Sequence, residues 1–268
     1  MSLPIFIRRF FSTVLRGVSS YYRLAGPVIL LLVWHIAAVA GWFDARVLPG
    51  PVAVITALGT SVSDGTLLPA VLVSLTRLLA GFLLGSALGV LLGLISGLWQ
   101  AGEDLLDGTL QALRAIPFLA LAPLFGLWFV SDELAKVALV AFGSLFPLYL
   151  NTISGIRAVD VRLVESASVV GLSSVERIRE VILPGALPSI FVGLRIGFSW
   201  ALAALVSSEL ANASAGIGAL VAQAREFVQT DMIFVCVVTY ALIGLFADNV
   251  LRLIEWRVMP WRQTFTGR

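Results

Sequence analysis

Side chains able to carry out chemistry are scarce in this chain, and most of those present sit in apolar surroundings. The 268 residues hold one histidine and one cysteine. A metal centre needs several such ligands brought together, and His35, beside Trp34, has neither a cysteine nor a second histidine to complete one. It reads as a packed or interfacial residue. Serine hydrolysis needs a base beside the nucleophile, and His35 is the one imidazole. Cys236 lies in an apolar run and reads as a small buried hydrophobe. A nucleotide-binding P-loop has the form Gly-x-x-x-x-Gly-Lys-Ser/Thr, but the single lysine, Lys136, follows Ala135 in an apolar context. No catalytic residue, metal ligand or cofactor site is therefore expected in this chain.

What remains is charge at depth. Arg77, Arg114 and Arg195 interrupt apolar stretches, where a charge is expensive and marks a pathway or a paired site by default. An arginine's planar fork matches an oxyanion. Arg77 and Arg114 are thus candidates for contact with an anion along a translocation pathway, and Ser207, Ser208 and Glu209 for an outer gate. The competing readings are snorkelling to the nearer surface and pairing with Asp107, Glu209 or another carboxylate. For Arg195 snorkelling is the favoured one.

The elements that must position these residues follow from composition. The chain is 59% hydrophobic and 13% charged, with mean hydropathy +0.99; a soluble domain carries about 25% charged residues. So apolar a chain must face lipid. The pI near 9.0 accompanies a net charge of only +2, and the basic residues fall between apolar runs, which argues for topology signals rather than a nucleic-acid face. The expected fold is all-α: a polytopic helical bundle of about six spans, at ~20 residues each. The spans cover about 24–42, 68–98, 105–130, 134–156, 187–210 and 232–254. Arg8-Arg9 and Ala38-Val39-Ala40 superficially match a cleaved export signal, but apolar runs follow throughout, so the first is read as a transmembrane helix. Residues 1–23 form a cytoplasmic segment and 24–268 a single transmembrane domain.

Arginine counting sets orientation. With the N-terminus inside, twelve arginines are cytoplasmic, in the N-terminal segment, the 157–186 loop and the C-terminal segment, while only Arg46 and Arg225 fall in outer loops. Both termini are then cytoplasmic. Glycine recurs every fourth residue at 81, 85, 89, 93 and 97, a ridge on which another helix can approach closely, either within the subunit or lining a path or subunit contact. Pro117 and Pro123 bend or break the third span, which suits a helix beside a cavity or a simple kink.

The 157–186 loop is the most informative segment. Asp160 is placed to cap a short helix 161–170, and Gly171 suits its end. Ser173 and Glu176 have capping-box spacing and start a second helix that Pro184 ends. Val161, Leu163, Val164, Val169 and Leu172 are apolar and Ser166, Ala167 and Ser168 small, which suits docking into a partner's groove or folding back on the protein's own helix ends. A pairing of Glu165 with Arg162 is a further structural option.

The run Glu165-Ser166-Ala167, three residues, Gly171, nine residues, Val181-Ile182-Leu183-Pro184 resembles the "EAA" signature of binding-protein-dependent ABC importer permeases. Ser166 for alanine and Val181 for isoleucine are mild departures. The stretches 113–124, 145–152 and 224–231 are similar to permeases of the sulfonate, taurine, nitrate and bicarbonate subgroup, and most of all to those for aliphatic sulfonates. The resemblance implies a type I importer permease in the bacterial inner membrane. It implies that Glu165, Ser166, Ala167, Gly171, Leu172, Ser173, Leu183 and Pro184 belong to a coupling hairpin that docks on an ATPase. It further implies a second permease copy, two ATP-binding cassette subunits carrying ATP and Mg, and a periplasmic or lipid-anchored solute-binding protein. The competing class is an ion-driven secondary transporter, which expects internal repeats and buried carboxylates.

Overall fold

The computed structural model describes residues 25–44, 46–211 and 214–261. The expected cytoplasmic segment 1–23, and with it Arg8 and Arg9, lies outside them. Every regular element among the described residues is helical. In chain order these are α1 (Ala25–Val39), α2 (Pro51–Ser63), α3 (Leu67–Leu98), α4 (Gln100–Arg114), α5 (Phe118–Trp128), α6 (Asp132–Arg157), α7 (Val161–Val169) and α8 (Ser174–Arg177). A π-helical turn (Ile178–Ile182) leads into α9 (Leu183–Ala211), followed by α10 (Ile217–Glu226) and α11 (Thr230–Val258).

Four stretches are long and apolar enough to cross a membrane: Leu67–Leu98, Asp132–Arg157, Ser174–Ala211 and Thr230–Val258. They correspond to expected spans two, four, five and six. Expected span three is two helices instead. Pro117 lacks an N–H and forces an extended residue before it, so α4 stops at Arg114 and α5 restarts with Pro117 as its N-cap. The described part of expected span one, α1, is likewise too short to cross by itself.

The described residues divide into two compact units, one within 25–64 and 224–235 and the other within 65–223 and 236–261. In the first, Trp34 organises the packing. Its Nε1 donates to the carbonyl of Pro49 at 3.0 Å and its ring stacks on Phe234 with centroids 5.6 Å apart. Pro51 opens α2 at a position where its missing N–H costs nothing.

In the second unit α6 lies between α3 and α9. The α3 seam is the glycine ridge, and its partner is α6 of the same chain. A Cβ on Gly81 would stand 2.6 Å from that of Val140, and one on Gly93 2.6 Å from that of Thr152. The i+4 glycines therefore serve packing inside the subunit. On the opposite face of α6, Gly155 and Gly193 admit Ser189 and Asn151 as closely, with would-be Cβ contacts of 2.8 and 2.9 Å. Leu148, Ile156, Ala186 and Ile190 fill the space between. Short α4 lays Leu110 against Phe146, Tyr149 and Ile153 of α6, and Glu103 pairs with Arg157.

Candidate functional site

The hairpin between α6 and α9 is assembled by local signals. The Asp160 carboxylate accepts the amide of Arg162 at 2.9 Å and so caps α7. At the other end Gly171 takes φ +94°, while the Leu172 amide reaches back to the carbonyl of Ala167 at 3.1 Å. That six-to-one bond needs a left-handed residue, which glycine adopts without steric cost. Ser173 and Glu176 then close the capping box in both directions, at 2.7 and 3.4 Å.

Pro184 does not end the second helix, contrary to the sequence expectation. The helical path runs unbroken from Ser174 to Ala211. A π-turn precedes the proline, with the Leu183 amide bonded to the carbonyl of Ile178. The widened turn absorbs the backbone donor that proline removes. Nor does Glu165 pair with Arg162; its carboxylate is exposed and in no ion pair among the described residues.

The hairpin presents an apolar surface. Val161, Leu163, Val170 and Val175 are exposed, and Val169 is 87% exposed. Ala167 and Leu172 are half-buried, Ser166 and Ser173 exposed. The Ser166 hydroxyl donates to the carbonyl of Arg162 and that of Ser168 to the carbonyl of Glu165, each at 2.7 Å. Both donors are satisfied within α7, so serine in place of alanine adds little polarity to this face. Leu183 and Pro184 are half-buried at the head of α9, with Leu183 against the Leu148–Ile156 cluster. These two residues anchor the hairpin more than they display it.

The arginines at depth have partners. Arg77, 2% exposed, directs Nε to Glu133 at 2.6 Å, Nη2 to the other oxygen of Glu133, and Nη1 to Glu209 at 2.7 Å and the carbonyl of Ala215 at 2.8 Å. Glu209 is fully enclosed. It accepts further bonds from the Ser74 hydroxyl at 2.7 Å, the Tyr240 hydroxyl at 2.7 Å and the Gly218 amide at 3.0 Å. The Ser74 oxygen in turn accepts the amide of Ile217 at 2.9 Å. One network thus joins α3, α6, α9, α10 and α11, and it leaves neither Arg77 nor Glu209 free for a ligand. Arg195 also pairs, with Glu255 and, at 3.9 Å, Asp248. Arg114 is exposed at the end of α4 and in no ion pair among the described residues. Ser207 is half-buried and donates to the carbonyl of Ala203.

A cavity of about 300 Å³ opens between α5, α6 and α9. Its polar lining comprises Asp132, Lys136 and Ser208, and Pro123, Leu127 and Leu139 are among the apolar residues. Lys136 is only 2% exposed and pairs with Asp132, one turn earlier on α6. In the sequence, Lys136 serves only to exclude a P-loop. Its isolation in an apolar run, with a carboxylate four residues before it, was the signal available.

Residues 85–260 match the family described as "Binding-protein-dependent transport system inner membrane component". SsuC of Escherichia coli (strain K12), named as an aliphatic sulfonates transport permease protein, is 47% identical over 89% of this chain and 91% of its own length. The protein of the same name from Bacillus subtilis (strain 168) is 38% identical over 90% of this chain and 87% of its own. A chain from the crystal structure of an amino acid ABC transporter with histidines superposes with a TM-score of 0.60, covering 70% of this chain and 92% of that one. At 19% identity this last likeness concerns the fold alone.

Proposed function

Because this chain belongs to the family of inner membrane components of binding-protein-dependent transport systems, we propose that it is the permease of an ATP-driven importer that carries aliphatic sulfonates into the cytoplasm. The substrate class rests on the two SsuC relatives, which share their likeness over about nine-tenths of this chain. The mechanism rests chiefly on one observation, the exposed apolar hairpin around α7. An extramembrane face carrying Val161, Leu163 and Val169 is costly in water and suits a groove on a partner.

That partner is a separate ATP-binding cassette subunit, which holds the ATP and Mg. This chain has no P-loop lysine and contributes no cofactor site. Two permease copies enclose the path, with two cassette subunits beneath them and a soluble or lipid-anchored binding protein above. Both termini and the hairpin face the cytoplasm, as the arginine asymmetry requires. Closure of the cassette dimer on ATP draws the hairpins together, and the continuous helical stretch Ser174–Ala211 carries that movement up to Glu209. The Arg77–Glu209 network ties the outer ends of five helices, so the outer end moves as a unit, with Arg77 and Glu209 holding structure rather than touching cargo. Of the other candidate pathway residues, Arg114 is exposed, Ser207 is half-buried and Ser208 lines the cavity between α5, α6 and α9.

Deletion of the gene in its host tests the substrate class. Growth on ethanesulfonate as the sole sulfur source should be lost and restored by the wild-type copy. Loss of taurine or nitrate use with ethanesulfonate growth intact would overturn it. The Gly171→Leu variant tests docking: a Cβ at φ +94° is strained and moves the hairpin tip. ATPase co-purification should fall at least about tenfold, the equivalent of ~1.4 kcal/mol of binding. Undiminished co-purification and uptake would sink the docking assignment.

A further inference from the structure

Lys136, which lines the cavity between α5, α6 and α9, carries a buried charge whose hydrogen bonding is incomplete. An ammonium carries three donors, and the one ion pair of Lys136 among the described residues is with Asp132. Asp132 is 40% exposed, so the carboxylate meets the ammonium from the open side. The other two N–H bonds have no protein acceptor among the described residues, although burying an ammonium is costly unless its protons are met. The lysine lines a space of about 300 Å³, roughly ten waters at ~30 Å³ each. Ser208 adds a hydroxyl that now donates to the carbonyl of Leu205 at 2.8 Å and can turn its proton elsewhere. The remaining surface, from Pro123, Leu127 and Leu139, is hydrocarbon.

We propose that this cavity is an anion-binding station for the transported ligand, with Lys136 as the residue that holds the head group. A short alkanesulfonate meets each feature. Its oxygens accept the free N–H bonds of Lys136 and the redirected Ser208 proton, and its alkyl tail lies on Pro123, Leu127 and Leu139. Asp132 pairs with the ammonium and so competes with the ligand for it. A bound anion is therefore held loosely enough to move on. Position also favours negative charge, since Lys136 lies in the second turn of α6, near the positive end of that helix. The site deepens the import reading and rests on it for the identity of the ligand, though not for the chemistry of its head group.

Two readouts on the full-length protein test the site. One is uptake of labelled ethanesulfonate by cells. The other is thermal unfolding of the detergent-purified permease titrated with sodium ethanesulfonate, sulfate or nitrate against sodium chloride. Wild-type protein should be stabilised by ethanesulfonate, and Lys136→Gln should lose that stabilisation and at least about tenfold in uptake, the scale of one charge-assisted hydrogen bond. Lys136→Arg should retain part of both. Asp132→Asn removes the ion pair but keeps the ammonium, so it should bind the anion as tightly as wild type or more so. A role limited to the ion pair predicts the opposite, with Asp132→Asn and Lys136→Gln failing together. Gly126 lines the cavity and has nothing within 4 Å of a would-be Cβ. Gly126→Leu should therefore fill the space and abolish the anion effect without disturbing the fold, which keeps the test decisive should Lys136→Gln not accumulate. Wild-type stabilisation that Lys136→Gln lacks, without sulfonate uptake in cells, would keep the site and remove the import reading. Equal uptake by both, or no anion-dependent stabilisation of wild type, would overturn the site.

Discussion

Arg77 and Glu209 are 132 residues apart in sequence yet meet at 2.7 Å, both almost wholly out of solvent. Each is costly to bury alone and tolerable only because the other, with Ser74, Tyr240 and Gly218, meets its hydrogen-bonding capacity. Removing one side should be severe. Glu209→Ala is expected to lower stability by about 3–5 kcal/mol, since it leaves a buried guanidinium short of its partner. Tyr240→Phe removes a single bond to a charged group, worth about 1.5–3 kcal/mol. Glu133→Gln should cost least, because Glu133 is 56% exposed and solvent screens its charge. Thermal unfolding of the purified variants gives the order, and a Glu133→Gln effect as large as that of Glu209→Ala would contradict it. From sequence, pairing with Glu209 and contact with an anion are both open for Arg77. Spacing along a chain does not say which distant carboxylate arrives, so only the packed structure separates the two.

Helices here are held by how near their backbones come. Along α3 the glycines at i+4 intervals face α6, where a Cβ at Gly93 would meet that of Thr152 at 2.6 Å. In lipid, with no hydrophobic drive between helices, such close packing is a main source of association. Gly93→Leu should therefore strip folded permease from the membrane, measured as membrane-extracted monodisperse protein. Gly108 in α4 has nothing within 4 Å of a would-be Cβ. There Gly108→Ala should raise stability by about 0.5–1 kcal/mol through helix propensity alone. Equal tolerance of both substitutions would show that the seam does not depend on glycine. The α7 hairpin was legible to nearly the residue: Asp160, Gly171 and the Ser173–Glu176 pair act over three to six residues, within reach of sequence reasoning. The helix beyond it was not. Proline marks a place where the regular ladder fails, but whether the helix stops, as at Pro117, or widens into a π-turn, as before Pro184, depends on what holds the two sides together.

At the scale of the whole chain, the expected topology follows from where arginines are absent as much as from where they occur. Ser168, exposed on α7, should lie in the cytoplasm. A single cysteine introduced by Ser168→Cys, in a background where Cys236 is buried, should react with a membrane-impermeant maleimide only after permeabilisation. Labelling in intact spheroplasts would place the hairpin on the wrong side for a cytoplasmic ATPase.

Composition alone determined that this chain faces lipid, because 13% charged residues cannot clothe a soluble surface. Local spacing determined the ends of the hairpin helices, because caps and left-handed turns are decided by neighbours in sequence. Tertiary structure decided the rest: that the glycine ridge packs on α6, that Arg77 is neutralised within the subunit, and that Lys136 borders a cavity with two donors unmatched. Those outcomes depend on which groups long-range packing brings within 3 Å of one another, and that information is carried by no short stretch of the chain.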